Sequence, residues 1–427
     1  MAKNYSKKVF PDGLRLIHVP LPKSFATTVL VLVAVGSEYE DKKISGASHF
    51  LEHLSFKGTK KRPNSQEIST ALDSLGAEYN AFTGNEMTGY FAKTANKNFS
   101  QALEIVSDLY LNPLIDSGEM EKERGVILEE INMYEDLPKE KVKEDFDCLL
   151  YGDQPAGWPV LGNKETIKKI SREEIVDYRG RHYVAGKTVV VVAGGAAENI
   201  EEMVRKNFSG IEAKEKIKKI PTREFQDKPA LTIRRKETDQ AHIILGVRAF
   251  NLFDPRRYAM GILSTILGGT MSSRLFYRIR EQMGAAYYIY SSAHLASDYG
   301  YLAVCGGVDK GRINESSSAI LEEMRKLAEE KISPAELNKA RESLSGRLVL
   351  RLETSDDMAG FYGGEELLTE KIIEPEEELK KIQAVTAEEV MSLSAYLFRK
   401  EKLNMAFLGM NAEEEKLRKI LEAGLPA

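Results

Sequence analysis

The sequence predicts an α+β protein of two similar domains, on three observations. The chain has 427 residues, which is long for one domain and suits two of roughly 200 residues each. Short motifs recur in the same order in the two halves, as an internal duplication requires. Within each half, strand and helix patterns lack the regular alternation of a parallel βαβ fold. We therefore expect two mainly antiparallel sheets, each with helices packed on one face.

The duplication rests on three pairs of matching motifs, offset by 208 to 217 residues. The pairs are Gly-Ala-Glu-Tyr at 76–79 with Gly-Ala-Ala-Tyr at 284–287, Glu-Met-Glu-Lys-Glu-Arg at 119–124 with Glu-Leu-Asn-Lys-Ala-Arg at 336–341, and Ser-Arg-Glu-Glu at 171–174 with Thr-Ala-Glu-Glu at 386–389. Each pair alone is weak, but their shared order favours duplication. The predicted domains are 1–212 and 229–427, joined by a charged linker at 213–228 that lacks an apolar period.

The first half predicts its elements in order. Two β-branched apolar runs predict strands and a third segment predicts a helix, at 15–19, 28–35 and 47–56 respectively. Asn64, with Glu67 three residues later, predicts the N-cap of a helix that ends at Gly76. Two strands then flank a turn at 83–85.

Three more helix starts follow in the same half. Each has a capping residue with Glu or Gln three positions later: Asn98 with Gln101, Asp116 with Glu119, and Ser171 with Glu174. An apolar strand at 188–193 and a helix that ends near Phe208 complete the half. The second half repeats this order from Ala230 to the end.

Composition excludes several classes of function. The 60 basic and 65 acidic side chains are interspersed and give a net charge of −5, so we expect neither a nucleic acid nor a membrane as a partner. The lysine-rich stretch at 214–219 reads as a solvated face of the linker. Cys148 and Cys305 lack a CxxC pairing and read as buried thiols in a reducing compartment. With no signal-peptide pattern at the N-terminus, the expected location is the cytoplasm.

The sequence His-Phe-Leu-Glu-His at 49–53 predicts a metal site. His49 and His53 are four residues apart, so on a helix both imidazoles project from one face and can reach one zinc ion at about 2.0–2.1 Å. Glu52 is placed to accept a proton from a zinc-bound water, whose pKa the metal lowers toward about 7. The alternative, a pair of histidines on an exposed helix surface, is disfavoured because the surrounding helix is apolar.

A third ligand must come from another helix, and the acidic segment at 123–133 offers one. Glu123 and Glu130 are two turns apart and face the same way, whereas Glu129 lies about 100° round the helix from Glu130. We predict Glu130 as the ligand, Glu123 as a supporting acid and Glu129 as the alternative ligand. The expected cofactor is one Zn²⁺ per chain.

At these residues the chain resembles the pitrilysin family of inverzincin zinc peptidases. The likeness lies in His-Phe-Leu-Glu-His followed by Phe-Lys-Gly-Thr, in Asn-Ala-Phe-Thr at 80–83, and in the acidic helix. It is nearest to the half-length branch, which includes the catalytic subunit of the mitochondrial processing peptidase and bacterial relatives. It implies the LuxS/MPP-like metallohydrolase fold and a clamshell of two chains. It implies these roles: ligands His49, His53 and Glu130, general base Glu52 and supporting acid Glu123.

The resemblance also implies residues that hold the peptide. It implies a sheet edge to which an extended peptide adds as a strand, formed by Asn80, Ala81 and Phe82. Arg280 and Tyr287 match the pair that holds substrate and polarises the scissile carbonyl, a role that suits a guanidinium and a phenol. Tyr288 leaves the identity of the phenol open. From the residues alone, Phe82 reads as a core aromatic and Arg280 as a surface charge.

The second half has lost the metal motif. Arg347 and Ala340 stand where a repeat offset of 217 places the two acids, and no HxxEH occurs there. His242 and His294 are isolated and read as structural residues. In full-length relatives, the metal domain and the Arg/Tyr domain belong to opposite halves of the clamshell. The resemblance therefore implies that the Arg and Tyr pair of one protomer serves the zinc of the other.

The leading hypothesis is a cytoplasmic, homodimeric zinc endopeptidase that acts on unfolded peptides. One alternative is a processing peptidase subunit that works in a heterodimer with an inactive homologue, and another is a non-catalytic scaffold on the same fold. Intact ligands and an intact base disfavour the scaffold. Only a short turn stands at 268–270, where the non-catalytic processing-peptidase subunit has a glycine-rich loop, so the chain is not expected to be that subunit.

Overall fold

The computed structural model describes residues 4–196 and 198–426, which form two compact units. Unit 1 consists of the described residues up to Ile131, Trp158–Ile220 and Val349–Glu374. Unit 2 consists of Asn132–Gly157, Pro221–Leu348 and the described residues from Pro375 onward. Neither unit is one continuous segment, so both differ from the predicted division at 1–212 and 229–427.

The elements of the first half follow the predicted order. The strands are β1 (Ser6–Val9), β2 (Arg15–Pro20), β3 (Ala26–Val33), β4 (Glu78–Thr83), β5 (Thr88–Ala95) and β6 (Thr188–Gly194). The helices are α1 (Ala47–Ser55), α2 (Ser65–Asp73), α3 (Phe99–Leu111), α4 (Ser117–Asp136), α5 (Pro138–Tyr151), α6 (Lys164–Lys169), α7 (Arg172–His182) and α8 (Ile200–Asn207). Single 3₁₀ turns lie at Ser37–Tyr39, Lys42–Ile44, Asn96–Asn98, Pro155–Gly157 and Ala185–Lys187.

The second half repeats this order. The strands are β7 (Ala230–Arg234), β8 (Ala241–Arg248), β9 (Ala286–Leu295), β10 (Gly300–Val308) and β11 (Leu403–Leu408). The helices are α9 (Arg257–Gly268), a π-helical segment (Phe276–Gln282), α10 (Ile313–Glu329), α11 (Pro334–Arg351), α12 (Ser355–Thr369), α13 (Pro375–Ala384), α14 (Ala387–Leu397) and α15 (Glu414–Gly424), with a 3₁₀ turn at Lys400–Lys402. The π-helical segment takes the place of α2.

The two sheets have the same topology. The first has the order β1-β2-β6-β3-β5-β4 and the second β7-β11-β8-β10-β9. Neighbouring strands are antiparallel except for the pairs β2 with β6 and β7 with β11, which are parallel. Without β1 the two orders are equivalent, which confirms two similar α+β units with mainly antiparallel sheets. Strands β4 and β9 occupy the same edge position.

Local capping explains one matched pair of motifs in the repeat. The Ser171 hydroxyl accepts from the Glu174 amide (3.2 Å), and the Ser171 amide donates to the Glu174 carboxylate (2.8 Å). Thr386 and Glu389 make the same reciprocal pair before α14. Each capping box satisfies backbone groups that the first turn of a helix leaves free. The matched sequences thus begin equivalent helices.

The cap predicted at Asn64 is present, and the one predicted at Asn98 is not. The Asn64 side chain accepts from the amide of Glu67 (2.9 Å). Helix α3 begins after Asn98 as expected, but the Asn98 side chain donates to the carbonyl of Leu75 (2.9 Å) and makes no capping bond. A preceding 3₁₀ turn places the side chain toward the end of α2, so a tertiary contact replaces the local one.

Each half of the chain contributes one helix to the other unit. In unit 1, α12 packs on the sheet face that carries Leu30 and Val191, and buries Tyr362 there. In unit 2, α5 packs on β8 and β11, with Phe146 against Ile244. The predicted helices are present on one face of each sheet and include α3 and α10. Helices α12 and α5 cover the opposite faces. Burial of apolar surface on both faces stabilises each sheet.

The linker has no helix or strand between Ile211 and Gln226, but it is not wholly solvated. The side chain of Lys219 in the linker is only 9% exposed and is in ionic contact with Glu38 (2.5 Å) and Glu86 (2.6 Å). The prediction of a solvated lysine face is therefore wrong at this position, because two buried carboxylates need a counter-charge. Cys148, predicted to be buried, is exposed. None of the helices in the described ranges combines the length and apolar character that crossing a bilayer requires.

Gly363 of α12 provides a test of this packing. A Cβ at this position would lie 2.7 Å from Leu32 Cδ1 and 2.8 Å from Val191 Cγ2, whereas one at Gly360 would meet nothing within 4 Å. We expect Gly363→Leu to lower the free energy of unfolding by about 1–3 kcal/mol through overpacking. Gly360→Leu, on the same helix, should leave it unchanged or raise it by up to ~1 kcal/mol. Urea unfolding of both variants measures this, and equal stabilities would contradict the packing.

Candidate active site

Helix α1 carries the two histidines and is fixed at its N-terminus by Glu40. The Glu40 carboxylate accepts from the amides of Gly46 (2.7 Å) and Ser48 (2.6 Å), two groups that the helix itself cannot satisfy. Gly46 has a φ of 97°, and a Cβ there would lie 2.6 Å from the carbonyl oxygen of Leu161. Only glycine suits this close approach. The first turn of the helix is therefore held in place up to Ser48, the residue before His49.

Helix α4 brings Glu130 to the two histidines. Glu130 Oε2 lies 3.6 Å from His49 Nε2 and 3.6 Å from His53 Nε2. Glu129, the alternative ligand, is exposed. The three side chains thus form a group with all ligand atoms within 4.8 Å of one another. The structure brings together the three residues predicted as ligands, and Glu129 is not part of the group.

The donor set fits zinc. A tetrahedral ion with bonds of about 2.0–2.1 Å separates its ligand atoms by roughly 3.3 Å, close to the distances from Glu130 to the histidines. Burial lowers the pKa of His49 to about 3, so its imidazole is neutral, the form that binds a metal. Burial also raises the pKa of Glu130. Two histidine nitrogens and one carboxylate are a set typical of catalytic zinc.

Glu123 supports His53 from outside the ligand group. Its Oε2 accepts from His53 Nδ1 (3.0 Å), and its Oε1 is 2.7 Å from Lys57 Nζ. A bond of this kind fixes the tautomer, because a proton on Nδ1 leaves the Nε2 lone pair for a metal. Glu123 is buried, and the Lys57 ammonium provides its counter-charge. The predicted supporting acid therefore lies where it orients His53.

Glu52, the predicted base, is held by one hydroxyl. Thr83 Oγ1 donates to Glu52 Oε2 at 2.5 Å. Burial raises the pKa of Glu52, while the hydrogen bond from Thr83 and the proximity of His53 lower it in part. A partly desolvated carboxylate of raised pKa is a more effective proton acceptor than one in water.

The predicted substrate strand is an edge strand. Asn80, Ala81 and Phe82 lie on β4, which has a neighbour, β5, on one side only. The Ala81 amide donates to the Asn80 side-chain oxygen (2.9 Å). Phe82 is 41% exposed and is not a core aromatic. Its ring lies over Gly89, where a Cβ would be 2.4 Å from Phe82 Cζ. The strand can accept a further strand on its free side.

Arg280 and Tyr287 belong to unit 2. Arg280 is exposed in the π-helical segment, with its guanidinium 5.0 Å from the centre of the Phe276 ring. In the pairing of β9 with β10, Gly307 opposes Tyr288 and Val308 opposes Ala286, so Tyr287 is the extra residue of a β-bulge. Bulges re-aim side chains, and the Tyr287 side chain is 73% exposed beside an open recess of about 450 Å³.

Tyr287 and its neighbour Tyr288 have different surroundings. The Tyr288 hydroxyl is 2.9 Å from His242 Nδ1, and burial raises the pKa of Tyr288. His294 stacks on Tyr301, with ring centres 5.0 Å apart. Both histidines of the second half thus pack as structural residues. Tyr287 is the phenol that is open to a ligand.

The second half has another polar contact where the first has its ligands. Arg347 of α11 donates to the hydroxyl of Thr265 in α9 (2.9 Å). Ala340, at the position equivalent to Glu123, is buried. A hydrogen bond between the helices equivalent to α4 and α1 therefore stands where the first half has its acid and histidines. The described part of this half contains no HxxEH.

Sequence reasoning missed three polar residues of the site: Glu40, Lys57 and Thr83. Lys57 follows His53 by four residues but lies beyond the end of α1, so helical spacing does not place it beside Glu123. Thr83 stands in the Asn-Ala-Phe-Thr motif without an assigned role. Glu40 gave no signal, because its contacts are to backbone amides that a sequence pattern does not identify.

Two family models match most of the chain. The model described as "Insulinase (Peptidase family M16)" matches residues 19–164, and the one described as "Peptidase M16 inactive domain" matches residues 169–344. The first match contains His49, His53 and Glu52, and also Glu123 and Glu130 of α4. The second contains Arg280 and Tyr287 and lies in the half without a metal motif.

Known proteins are similar over nearly the full length. An uncharacterized zinc protease of Bacillus subtilis is 34% identical over 401 residues, 94% of this chain and 97% of that protein. A protease from Helicobacter pylori has a TM-score of 0.87 at 22% identity, covering 95% of this chain and 99% of that one. An M16 inactive-domain protein from Pseudomonas fluorescens has a TM-score of 0.89 at 16% identity, covering 96% and 99%. The two structures show the shared fold, and the two family models together with the sequence match to the Bacillus protein show that this chain belongs to peptidase family M16.

Proposed function

We propose that the protein is a zinc endopeptidase that hydrolyses unfolded peptides. The observation that carries this proposal is the convergence of His49, His53 and Glu130 on one point, with Glu52 beside them. A scaffold on the same fold needs none of these residues. Bringing two histidines and two acids together at a partly buried site is costly unless a metal or substrate uses them.

The side chains have distinct roles in this proposal. A bound zinc ion supplies a Lewis acid and an activated water. Glu52 accepts the proton of the attacking water, and its position beside His53 suits this role. Glu123 holds His53 in the tautomer that leaves Nε2 free. Arg280 and Tyr287 donate hydrogen bonds to the carbonyl oxygen as its negative charge develops.

The edge strand determines the substrate class. A peptide that adds to β4 forms main-chain hydrogen bonds along the free side of residues 80–82, which require an extended backbone and little particular sequence. Phe82 offers an apolar surface for a side chain. Folded proteins lack a free extended segment, so unfolded peptides are the proposed substrates.

We further propose a homodimer that closes around the substrate. The metal ligands belong to unit 1 and the Arg and Tyr pair to unit 2 of each chain. In a clamshell, the pair of one protomer serves the zinc of its partner. The alternative assembly, with an inactive homologue, predicts that the purified chain alone has no activity.

Glu130 and Glu129 form a matched pair for zinc binding. Glu130→Gln removes a ligand charge and is expected to weaken zinc binding by about 100-fold or more, since changes outside the ligand set already cost about 10- to 100-fold. Glu129→Gln, one residue away and exposed, should bind zinc as the wild type does. Chelator competition measures both affinities. Equal affinities, or a larger loss in the Glu129 variant, would show that Glu130 is not the zinc ligand of α4.

Glu52→Gln separates catalysis from metal binding. The variant retains the shape of the side chain and loses the proton acceptor, so we expect full zinc content and a kcat lower by about 10²- to 10⁴-fold. A quenched-fluorescence peptide assay with metal analysis measures this, with Glu129→Gln as the control. Wild-type turnover in Glu52→Gln would refute the base assignment.

Mixing two inactive variants tests the shared site. Glu52→Gln and Arg280→Ala should each be inactive alone. After subunit exchange, half of the dimers are mixed and each has one intact site, so about one quarter of wild-type activity should return. Tyr287→Phe should also lower kcat, whereas Tyr288→Phe, whose hydroxyl contacts His242, should not. No recovery despite demonstrated exchange would contradict sharing between protomers.

A further inference from the structure

The last residue of the substrate strand touches the base. Thr83 ends β4, and its hydroxyl donates to Glu52 Oε2 at 2.5 Å. We infer that Thr83 is a positioning residue that orients the Glu52 carboxylate for proton transfer. This inference rests on the proposed peptidase function and adds a link between the strand that binds the peptide and the group that accepts the proton.

The chemistry of a carboxylate requires such an anchor. The last torsion of a glutamate side chain is broad, so an unanchored carboxylate samples many orientations. Thr83 occupies one oxygen with a short, charge-assisted bond, and this leaves Oε1 to accept the proton. Threonine suits the task because its branched side chain has few rotamers in a strand.

The position of Thr83 is itself fixed by the tip of the β4–β5 hairpin. The Gly84 carbonyl accepts from the Ser37 amide (3.2 Å). A Cβ on Gly36 would lie 2.2 Å from that same oxygen, so the two backbones approach closely. Lys219 bridges Glu38 and Glu86 on either side of this contact. The hairpin tip is therefore clamped, and Thr83 transmits that rigidity to the base.

In this arrangement, strand β4 positions both the substrate and the base. Asn80 and Ala81 would hold the peptide backbone, and Thr83 holds Glu52 two residues further along the same strand. A displacement of about 1 Å between a substrate and its catalytic group can cost about 100-fold in rate. Because one strand positions both, movement of β4 shifts peptide and base together.

Thr83→Val tests the inference in the full chain. The variant preserves shape and β-branching and removes the donor. We expect kcat to fall by about ten- to 100-fold, with KM and zinc affinity within about twofold of wild type. Thr83→Ser restores the hydroxyl and should restore most of kcat. A rise in KM with unchanged kcat would overturn the inference, because it would show that Thr83 serves only the strand.

Thr88→Val is the matched control. Thr88 lies directly opposite Thr83 in the hairpin, and its hydroxyl donates to the carbonyl of Val35 (2.9 Å) and not to the base. It should retain kcat. An equal loss of kcat in both variants would assign the effect to hairpin stability and overturn the inference.

A double variant separates this inference from the proposed function. If Thr83 acts through Glu52, adding Thr83→Val to Glu52→Gln should cause no further loss of the residual rate, whereas an additive loss overturns the inference. If the wild type neither binds zinc nor cleaves peptides, the proposed function itself fails. An active wild type with a fully active Thr83→Val refutes the positioning role alone.

Discussion

The site depends on the alignment of α1 with α4, because neither helix holds a complete set of ligands. Zinc tolerates departures of only roughly 0.2 Å in its bond lengths, so the two helices must be held closely. His53 of α1 and Lys57, which follows the end of α1, both contact Glu123 of α4, and the Arg124 guanidinium lies over the Phe50 ring at 5.5 Å. These contacts align the helices around the ligands, and Glu123 belongs to both the packing and the chemistry.

The duplication separates what the fold needs from what the chemistry needs. Both copies have the same strand order, the same capped helix before the parallel strand, and a helix exchanged with the other unit. Only the first copy has the two histidines of the HxxEH motif. In the second, Arg347 joins α11 to α9 through Thr265, so the equivalent pair of helices is held without a metal. The second copy has the same architecture without the ligands because a hydrogen bond from the Arg347 guanidinium to a hydroxyl holds the equivalent helices together.

The sequence predicts local features well and tertiary choices poorly. The capping box at Ser171 was predictable because it involves residues three positions apart. The group formed by His49, His53 and Glu130 was predictable as a helical spacing together with a resemblance. The packing of α5 in unit 2 and of α12 in unit 1 was not predictable, because the apolar face of a helix does not identify the sheet that it covers. The burial of Lys219 was also hidden, since its partners Glu38 and Glu86 are distant in the sequence.

In the proposed function, the two copies use equivalent strands for different parts of one reaction. β4 and β9 occupy the same edge of their sheets. The end of β4 holds the base through Thr83, and the start of β9 presents Tyr287 at a bulge. An edge strand is exposed whether or not it has a function, and exposure carries a risk of unwanted pairing. Here both edges carry residues that a peptide backbone can engage, so duplication of the fold also duplicated the surface from which a two-part site could be built.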